Sequence, residues 1–477
     1  MSISTSKSTP QLQESAVDRL SNLPDTILSH ILSFLPTENA FATTILSSRY
    51  KFLWKNTSNL SFCYTQYPYD DLYMYDSDTN TGRFMEFVHF VNRTLLLHDN
   101  ICIDKFSLDI LERNVLYDYN TREFIASWIS ASVARNVKDL VIAGRQKMYR
   151  TRIDFLRFEL PSCAYTCKSL EVMHLSGVVI LDPYGLVCLP NLRTLRLEDV
   201  LIISDESLKK LLSGCLSLKT LYILRGCNDR VVTLTVRSPT LEHLTITIYG
   251  RELNYDDTHE EECIKLELDV PALKYLCIHD KMVNDISVED MPSLVEVKIR
   301  LSLQFFEKQL GCNWSGIDNI FRSIGSMKLL SLDEFTMMAL SHSGLSPKLE
   351  RLANLTLTVG CCKWSSLQGL LEVSDSLEYL ALNIVLYFDD EHQHETCWTK
   401  PKKMAACLSC LKEMSVEGFS GRDDELAMLG YILQNASLLE TMKITASSSL
   451  NLRKNHKLLQ KVSKFRRAST MCEVIFR

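Results

Sequence analysis

A six-residue apolar frame, apolar-x-x-apolar-x-apolar, returns thirteen times between Ile103 and Ile444 and constrains the fold more than any other feature of the chain. It reads Ile103/Phe106/Leu108, then Val137/Leu140/Ile142, and it closes with Leu411/Met414/Val416 and Leu439/Met442/Ile444. The last two apolar positions are two residues apart, the period of a strand with one buried face. The first anchors run from 103 to 439 in twelve steps of 21 to 34 residues, with a mean of 28. A unit of that size cannot bury its apolar face without a neighbour. The frame therefore predicts a curved α/β solenoid built on a parallel sheet.

The period is near that of leucine-rich repeats, and the scatter of the steps makes the array irregular. The leucines are core. Outward positions read Asp139/Val141, Val172/His174, Thr194/Arg196, Thr220/Tyr222, His243/Thr245, Tyr275/Cys277 and Glu296/Lys298. This set is mixed in sign and lacks the converging cations that grip phosphate groups. It suits an extended protein-binding face. Arg196, Tyr222 and Tyr275 are the candidate target-binding residues, since Arg and aromatics carry interface energy disproportionately.

Residues 1–16 are Ser/Thr-rich, offer few apolar anchors and are expected to form a disordered tail. From Asp18, the string DRLSNLPDTILSHILSFLP sets Leu23, Ile27, Leu28, Ile31, Leu32 and Leu35 at helical spacing. Pro24 suits the first helical position, and Asp25 favours the positive helix end. Pro36 stops this helix. Thr37 can cap a second carrying Ala40, Phe41 and Ile45, and Ser47 a third carrying Tyr50, Leu53 and Trp54. Three such short helices enclose a thin core and leave apolar surface uncovered, which usually marks a partner site.

The string from Asp18-Arg19-Leu20 through Leu23-Pro24-Asp25, Ile31-Leu32-Ser33-Phe34-Leu35-Pro36-Thr37, Ala40 and Leu46-Ser47 to Arg49 and Leu53-Trp54 resembles the plant F-box. It departs at Ser48, where Lys is common, and at Tyr50, where Trp is common. The resemblance implies a docking surface for a Skp-type adaptor, and through it a cullin-based ubiquitin ligase. It sets Leu20, Leu23, Pro24, Ile31, Leu35, Pro36 and Trp54 at or under that contact. Leu28 and Leu32 are expected in the module's own core.

Two amphipathic connecting helices follow, over 82–98 with Phe84, Phe87, Val88, Val91 and Leu95 on one face, and over 121–135 with Phe124, Ile125, Trp128 and Ile129. Near the other end, Trp398-x-x-Pro401 precedes a strand, helix, strand pattern. Gly418 and Gly421 punctuate the strand end, Asp423 and Asp424 open the helix, and Leu426, Leu429, Ile432 and Leu433 form its apolar face. This stretch, with RRASTMCEVIF after it, resembles the FBD domain of plant F-box/leucine-rich-repeat proteins, whose expected place is a cap on the solenoid's open end.

The 52 Lys and Arg against 58 Asp and Glu give a net charge of −6, which lacks the footprint of a general nucleic-acid or membrane binder. No apolar run reaches the length of a membrane span or signal peptide, so a cytoplasmic or nuclear location is expected. The sixteen cysteines read as buried reduced thiols. His392, His394 and Cys397, with Cys407 and Cys410, have metal-ligand types, but the histidines follow an acidic run and the cysteines sit among packing leucines, so no metal is assigned. Asp256, Asp257, Glu260, Glu261 and Glu262 read as a solvated loop, with attraction of a basic target tail as the other reading. Lys400, Lys402 and Lys403, like Lys464, Arg466 and Arg467, have the composition of nuclear-import signals but overlap the folded end. No nucleotide-binding, nucleophile-elbow or zinc-protease motif is present, and neither a cofactor nor catalysis by this chain is expected.

The expected organisation is a tail (1–16), an F-box (17–60), a connecting segment with its amphipathic helix (61–100), irregular leucine-rich repeats (101–395) and an FBD domain (396–477). The reading that follows is a non-catalytic substrate-recognition subunit of a Skp–cullin–F-box ubiquitin ligase, its F-box holding the adaptor and its repeat face a target protein. Two alternatives stand beside it: a small-molecule co-receptor F-box protein, and a structural interaction protein that binds the adaptor without ubiquitination.

Overall fold

The computed structural model describes residues 20, 22–64, 77–99, 102–110, 119–144, 157–177, 179–225, 231–248, 264–280, 283–301, 319–322, 327–343, 349–360, 364–385, 398, 406–448, 450 and 452–477. The expected tail, the acidic run at 256–262 and the His392/His394/Cys397 group lie outside them. All thirteen frames become strands of one parallel sheet, which holds fifteen strands in chain order from Asn59–Tyr64 and Lys105–Ile110 to Thr441–Ala446 and Glu473–Phe476. Pairing is frame on frame. Leu60, Phe106, Leu140, Met173 and Leu195 are successive register partners at one end, and Leu380, Met414, Met442 and Val474 at the other. A one-residue slip would turn a whole strand's leucines to water, so the burial of Leu195, Leu221, Leu244 and Leu276 fixes the register.

The return segments bury the other side of those leucines. Some are helices, among them those over Ser77–Leu97 and Tyr119–Val133, whose Phe84, Phe87, Val88, Val91, Leu95, Ile125, Trp128 and Ile129 are buried as their spacing predicts. Others are strands that the frame does not announce. Phe158–Glu159, Val179–Leu181 and Leu201–Ile202 form one small parallel sheet, and Thr233–Arg237, Ile264–Asp269 and Val283–Val288 another. One continuous core cluster runs from Leu60 to Cys472. No helix among the described residues is long and apolar enough to cross a membrane.

The front module is α1 (Asp25–Leu32), α2 (Thr37–Ala42) and α3 (Tyr50–Leu53), with a short 3-10 turn over Trp54–Asn56. Pro24 stands at the N-cap of α1, one residue before its expected place. Neither expected side-chain cap forms, because Pro36 and Arg49 hold the N-cap positions of α2 and α3. The Thr37 hydroxyl, buried, instead accepts a hydrogen bond of 2.7 Å from the Ser61 N–H. Ser61 belongs to the first strand, which the apolar pattern hides because its leading anchor is the buried Thr57. The sheet thus begins at Asn59, before the connecting segment. Asn59 Nδ2 donates to the Ser33 carbonyl at 3.2 Å, and His98 Nε2 lies 2.7 Å from the Thr57 carbonyl oxygen. The module is joined to the first repeat by hydrogen bonds as well as by chain.

The C-terminal unit continues the sheet with Glu413–Phe419, Thr441–Ala446 and Glu473–Phe476. Gly418 has φ +74°, and a Cβ there would stand 2.3 Å from the Ile384 carbonyl oxygen, so only glycine fits. The buried Glu425 holds the turn that follows, accepting from Ser420 N at 2.9 Å, Ser420 Oγ at 2.7 Å and Gly421 N at 2.7 Å. Leu426, Leu429, Ile432 and Leu433 are buried as expected. A further helix, Leu452–Ser463, goes unannounced because its buried anchors among the described side chains, Leu458 and Val462, are dispersed among cations.

The residue after each leading anchor stands just before a strand, and several of these residues form ion pairs between neighbouring repeats. Lys138 meets Asp104 at 2.7 Å, Lys412 meets Glu378 at 3.1 Å, and Glu242 lies between Lys219 and Lys274, each at 2.6 Å. Hydrogen bonds from Lys219 and Lys274 hold the Glu242 carboxyl down to about 2 from its ordinary 4.5. Such exposed pairs are individually weak, but opposite charges in adjacent repeats favour the native register.

Two predictions follow from these contacts. Thr37→Val, which removes the acceptor of the Ser61 N–H, is expected to cost about 1–3 kcal/mol in denaturant unfolding of the full chain, whereas Thr37→Ser retains stability. The depressed pKa of Glu242 means that its contribution is present above about pH 4.5 and lost as pH falls toward 2. Wild type and Glu242→Gln should therefore differ in thermal stability at pH 7 and converge by about pH 2.

Candidate functional site

The front module has its own core, separate from that of the sheet. Leu28, Leu32, Ala40, Tyr50, Leu53 and Trp54 make it up, with Leu23 and Leu97 packed against it. Ser29 Oγ donates to the Leu53 carbonyl at 3.1 Å, and Phe41 meets Trp54 edge to face at 5.4 Å. Arg49 binds the Asp25 carboxylate at 2.6 Å and donates to the Leu23 carbonyl, tying the start of α3 to the start of α1. Tyr50 is buried where the F-box pattern commonly has Trp, and the core closes around it.

A core this small leaves much of the module's apolar content in water. Leu20, Ile27, Ile31, Phe34, Leu35, Phe41, Ile45, Leu46 and Phe52 are exposed, nine of the eighteen exposed large hydrophobics among the described residues. Ile27, Ile31 and Phe34 follow i, i+4, i+7 spacing and make a stripe along α1 and the turn after it, on a different face from the buried Leu28 and Leu32. Phe34 is 72% exposed and Ile45 86%, although Ile45 reads as part of a core-facing helix side in the sequence. Such a concentration is far from the scattered single residues of an ordinary surface.

The expected adaptor-contact residues divide between two layers. Leu20, Pro24, Ile31, Leu35 and Pro36 are exposed. Leu23 is half-buried against the module's core, and Trp54 is only 3% exposed, so Trp54 lies under the surface and supports it. Phe34, Ile45, Leu46 and Phe52 belong to the exposed set and are absent from the sequence-based list of contacts. The helical spacing of Phe34 on the Ile27/Ile31 stripe is the signal that finds it.

The outward face of the sheet carries the second candidate surface. Arg196 and Tyr222 are register partners, and the guanidinium lies 4.3 Å from the centre of the Tyr222 ring. Arg196 also pairs with Glu198, whose other oxygen is 3.6 Å from His174 Nε2. Burial pushes the His174 pKa down, and Glu198 opposes that shift. Tyr275 stands two strands further on and pairs in register with His243 and Glu296, so it does not join Arg196 and Tyr222 in one spot. Its ring lies 6.1 Å from that of His243, with Lys298 Nζ 5.3 Å away, and Lys298 is paired to Glu296 at 2.8 Å. These are two aromatic–cation couples with internally balanced charge, suited to hydrogen bonds and ring contacts with another protein.

The ten described cysteines are free; Cys167, Cys215, Cys407 and Cys472 are buried as expected, whereas Cys63 and Cys102 are exposed. Burial pushes the thiols of Cys215 and Cys407 up to about 12, the reverse of nucleophile activation. No group of three or more His, Cys, Asp and Glu among the described residues is arranged to hold a metal ion.

Comparison with known proteins matches three segments of the chain. The profile of the F-box domain matches residues 20–62, that of the leucine-rich repeats of FBD-associated F-box protein At5g56370 matches 125–315, and that of the FBD matches 401–444. The F-box/FBD/LRR-repeat protein At4g26340 of Arabidopsis thaliana is 30% identical over 96% of this chain and 100% of its own length. The F-box/FBD/LRR-repeat protein At5g56420 is 29% identical over 96% and 99%, and FBD-associated F-box protein At4g10400, from the same plant, 30% over 96% and 100%. F-box domains in general bind Skp1-type adaptors, and F-box/leucine-rich-repeat proteins are in general non-catalytic substrate adaptors of ubiquitin ligases. With an F-box in front, an irregular leucine-rich sheet through its length and an FBD at its end, the chain belongs to the F-box/FBD/LRR-repeat proteins.

Proposed function

We propose that this chain is the substrate-recognition subunit of a Skp–cullin–F-box ubiquitin ligase, acting in the cytoplasm or nucleus. The exposed face of the F-box docks the Skp-type adaptor, and the outward face of the sheet holds the target. The observation that carries this reading is the crowding of half of the exposed large hydrophobics, among the described residues, into positions 20–52. The chain's contribution is proximity: a target lysine held near the conjugating enzyme's thioester reacts as if in an intramolecular step. Nucleophile, thioester and leaving thiol all belong to other proteins.

Ile31 and Leu35 are better test positions than Leu23, whose packing against the module's own core would confuse unfolding with lost contact. Ile31→Asp with Leu35→Asp should abolish co-precipitation of the adaptor, a loss of about 2–4 kcal/mol on the scale of interface hot spots. Leu186→Asp, the same kind of change at an exposed residue far along the chain, should leave adaptor binding unchanged. Full adaptor binding by a folded double variant contradicts the docking assignment.

The target face is tested by changing Arg196, Tyr222 and Tyr275 together to Ala, which leaves the inward leucines intact. The expected result is an unchanged melting temperature, adaptor retained and target proteins lost from affinity purification under proteasome inhibition. An unchanged set of targets would remove these residues from the recognition surface.

A further inference from the structure

The end of the chain reverses the charge of the whole. Between Glu440 and Glu473 there is no acidic residue, while Arg453, Lys454, Lys457, Lys461, Lys464, Arg466 and Arg467 fall within fifteen positions of a chain whose net charge is −6. All seven are exposed, and the helix that carries most of them, Leu452–Ser463, is fastened below by Leu458 and Val462. Among the described residues, no ion pair is formed by Arg453, Lys457, Lys461, Lys464 or Arg466.

Helix stability does not account for this pattern. Cations near a helix C-terminus favour the macrodipole, which covers Lys461 and Lys464. Arg453 sits in the first turn, where the dipole opposes it, and that turn contains no acidic residue of its own. Arg453/Lys457 and Lys457/Lys461 are like-charge pairs at i, i+4, the spacing at which they repel. At Arg453 and Lys457 the cations therefore disfavour the element that bears them. A bound anion would reverse that cost.

We propose that this basic face docks an acidic segment of a partner protein. Arg453, Lys457 and Lys461 stand at i, i+4 and i+8, one stripe about 12 Å long at 1.5 Å per residue that spans about four residues of an extended peptide, with Lys464 in the turn that ends the helix. Gly421 lies against Leu458 of this helix, and the exposed Asp423 opens the helix Asp423–Asn435 just after it, so carboxylate charge borders the basic stripe on that side and the positive surface is a band rather than the broad plane that a duplex or a bilayer requires. Phe465 and Phe476, the only Phe, Tyr or Trp of residues 452–477, are half-buried, with Phe476 packed on Phe419 at 6.2 Å, and the one exposed ring, the His456 imidazole, lies 3.1 Å from Gln460 through its Nε2, so no platform of rings is presented for stacking successive single-stranded bases. The surface lies in the FBD-bearing end and is independent of the adaptor-docking reading.

The test uses the full chain and three probes in fluorescence and sedimentation assays: a labelled oligoglutamate peptide, a thymidine oligonucleotide and phosphatidylserine vesicles. The peptide should bind most tightly, with an affinity that falls steeply as salt rises. Lys457→Gln/Lys461→Gln/Lys464→Gln should weaken it about tenfold or more, while the Lys→Arg triple retains it. Relieved repulsion at Lys457 and lost dipole contacts at Lys461 and Lys464 offset each other, so the Gln variant should melt close to the wild type, which separates lost binding from lost folding. Equal peptide binding by the Gln variant and the wild type overturns the proposal, as does tighter binding of the oligonucleotide or the vesicles.

Discussion

A repeat that buries its leucines only against its neighbours has two ends at which that burial fails, and closing them governs the layout of this chain. At the first end, the sheet edge runs over Asn59–Tyr64, where Thr37 accepts the Ser61 N–H and Phe90, from the connecting helix, bridges Phe41 of the F-box to Phe62 of the strand. The F-box is thus the cover of the sheet's leading edge as well as a module in its own right. At the last end, the short Glu473–Phe476 strand finishes the ladder, with Phe476 against Phe419 and the turn before the preceding helix locked by Glu425.

The separation of the two cores sets two surfaces apart on one chain. The F-box cluster of six buried residues is too small to enclose its own apolar side chains, so Ile31, Phe34, Ile45 and Leu46 remain outside. The sheet's core is continuous among the described residues, and its outward residues contribute little to that core. Hydrogen bonds at Thr37, Asn59 and His98 fix the spatial relation between the two surfaces. For an adaptor that works by proximity, that relation determines where a held target stands with respect to the ligase.

The strands were legible because burial and period coincide: wherever the frame recurs, a strand of the large sheet forms. The first strand escaped because a buried threonine, Thr57, stands at its leading anchor, and the helix Leu452–Ser463 because two apolar anchors are outnumbered by cations. The caps assigned to Thr37 and Ser47 failed for a different reason, since a hydroxyl's partner is chosen by what packs against it and not by its neighbours in sequence. The same limit holds at the site. The stripe through Ile31 can be read from spacing, but the exposure of Ile45 and the burial of Trp54 depend on how three helices meet. The cross-strand couple of Arg196 and Tyr222 required the register, which spacing alone gives only approximately.

Amide hydrogen exchange on the full chain, free and bound to a Skp-type adaptor, tests the central claim that the uncovered F-box face is the docking surface while the sheet stands apart. New protection is expected only in the segment from Leu23 to Asn56, with the strands from Asp139 to Leu301 exchanging as in the free chain. Protection centred on the sheet's outward face, with the F-box amides unchanged, would contradict it.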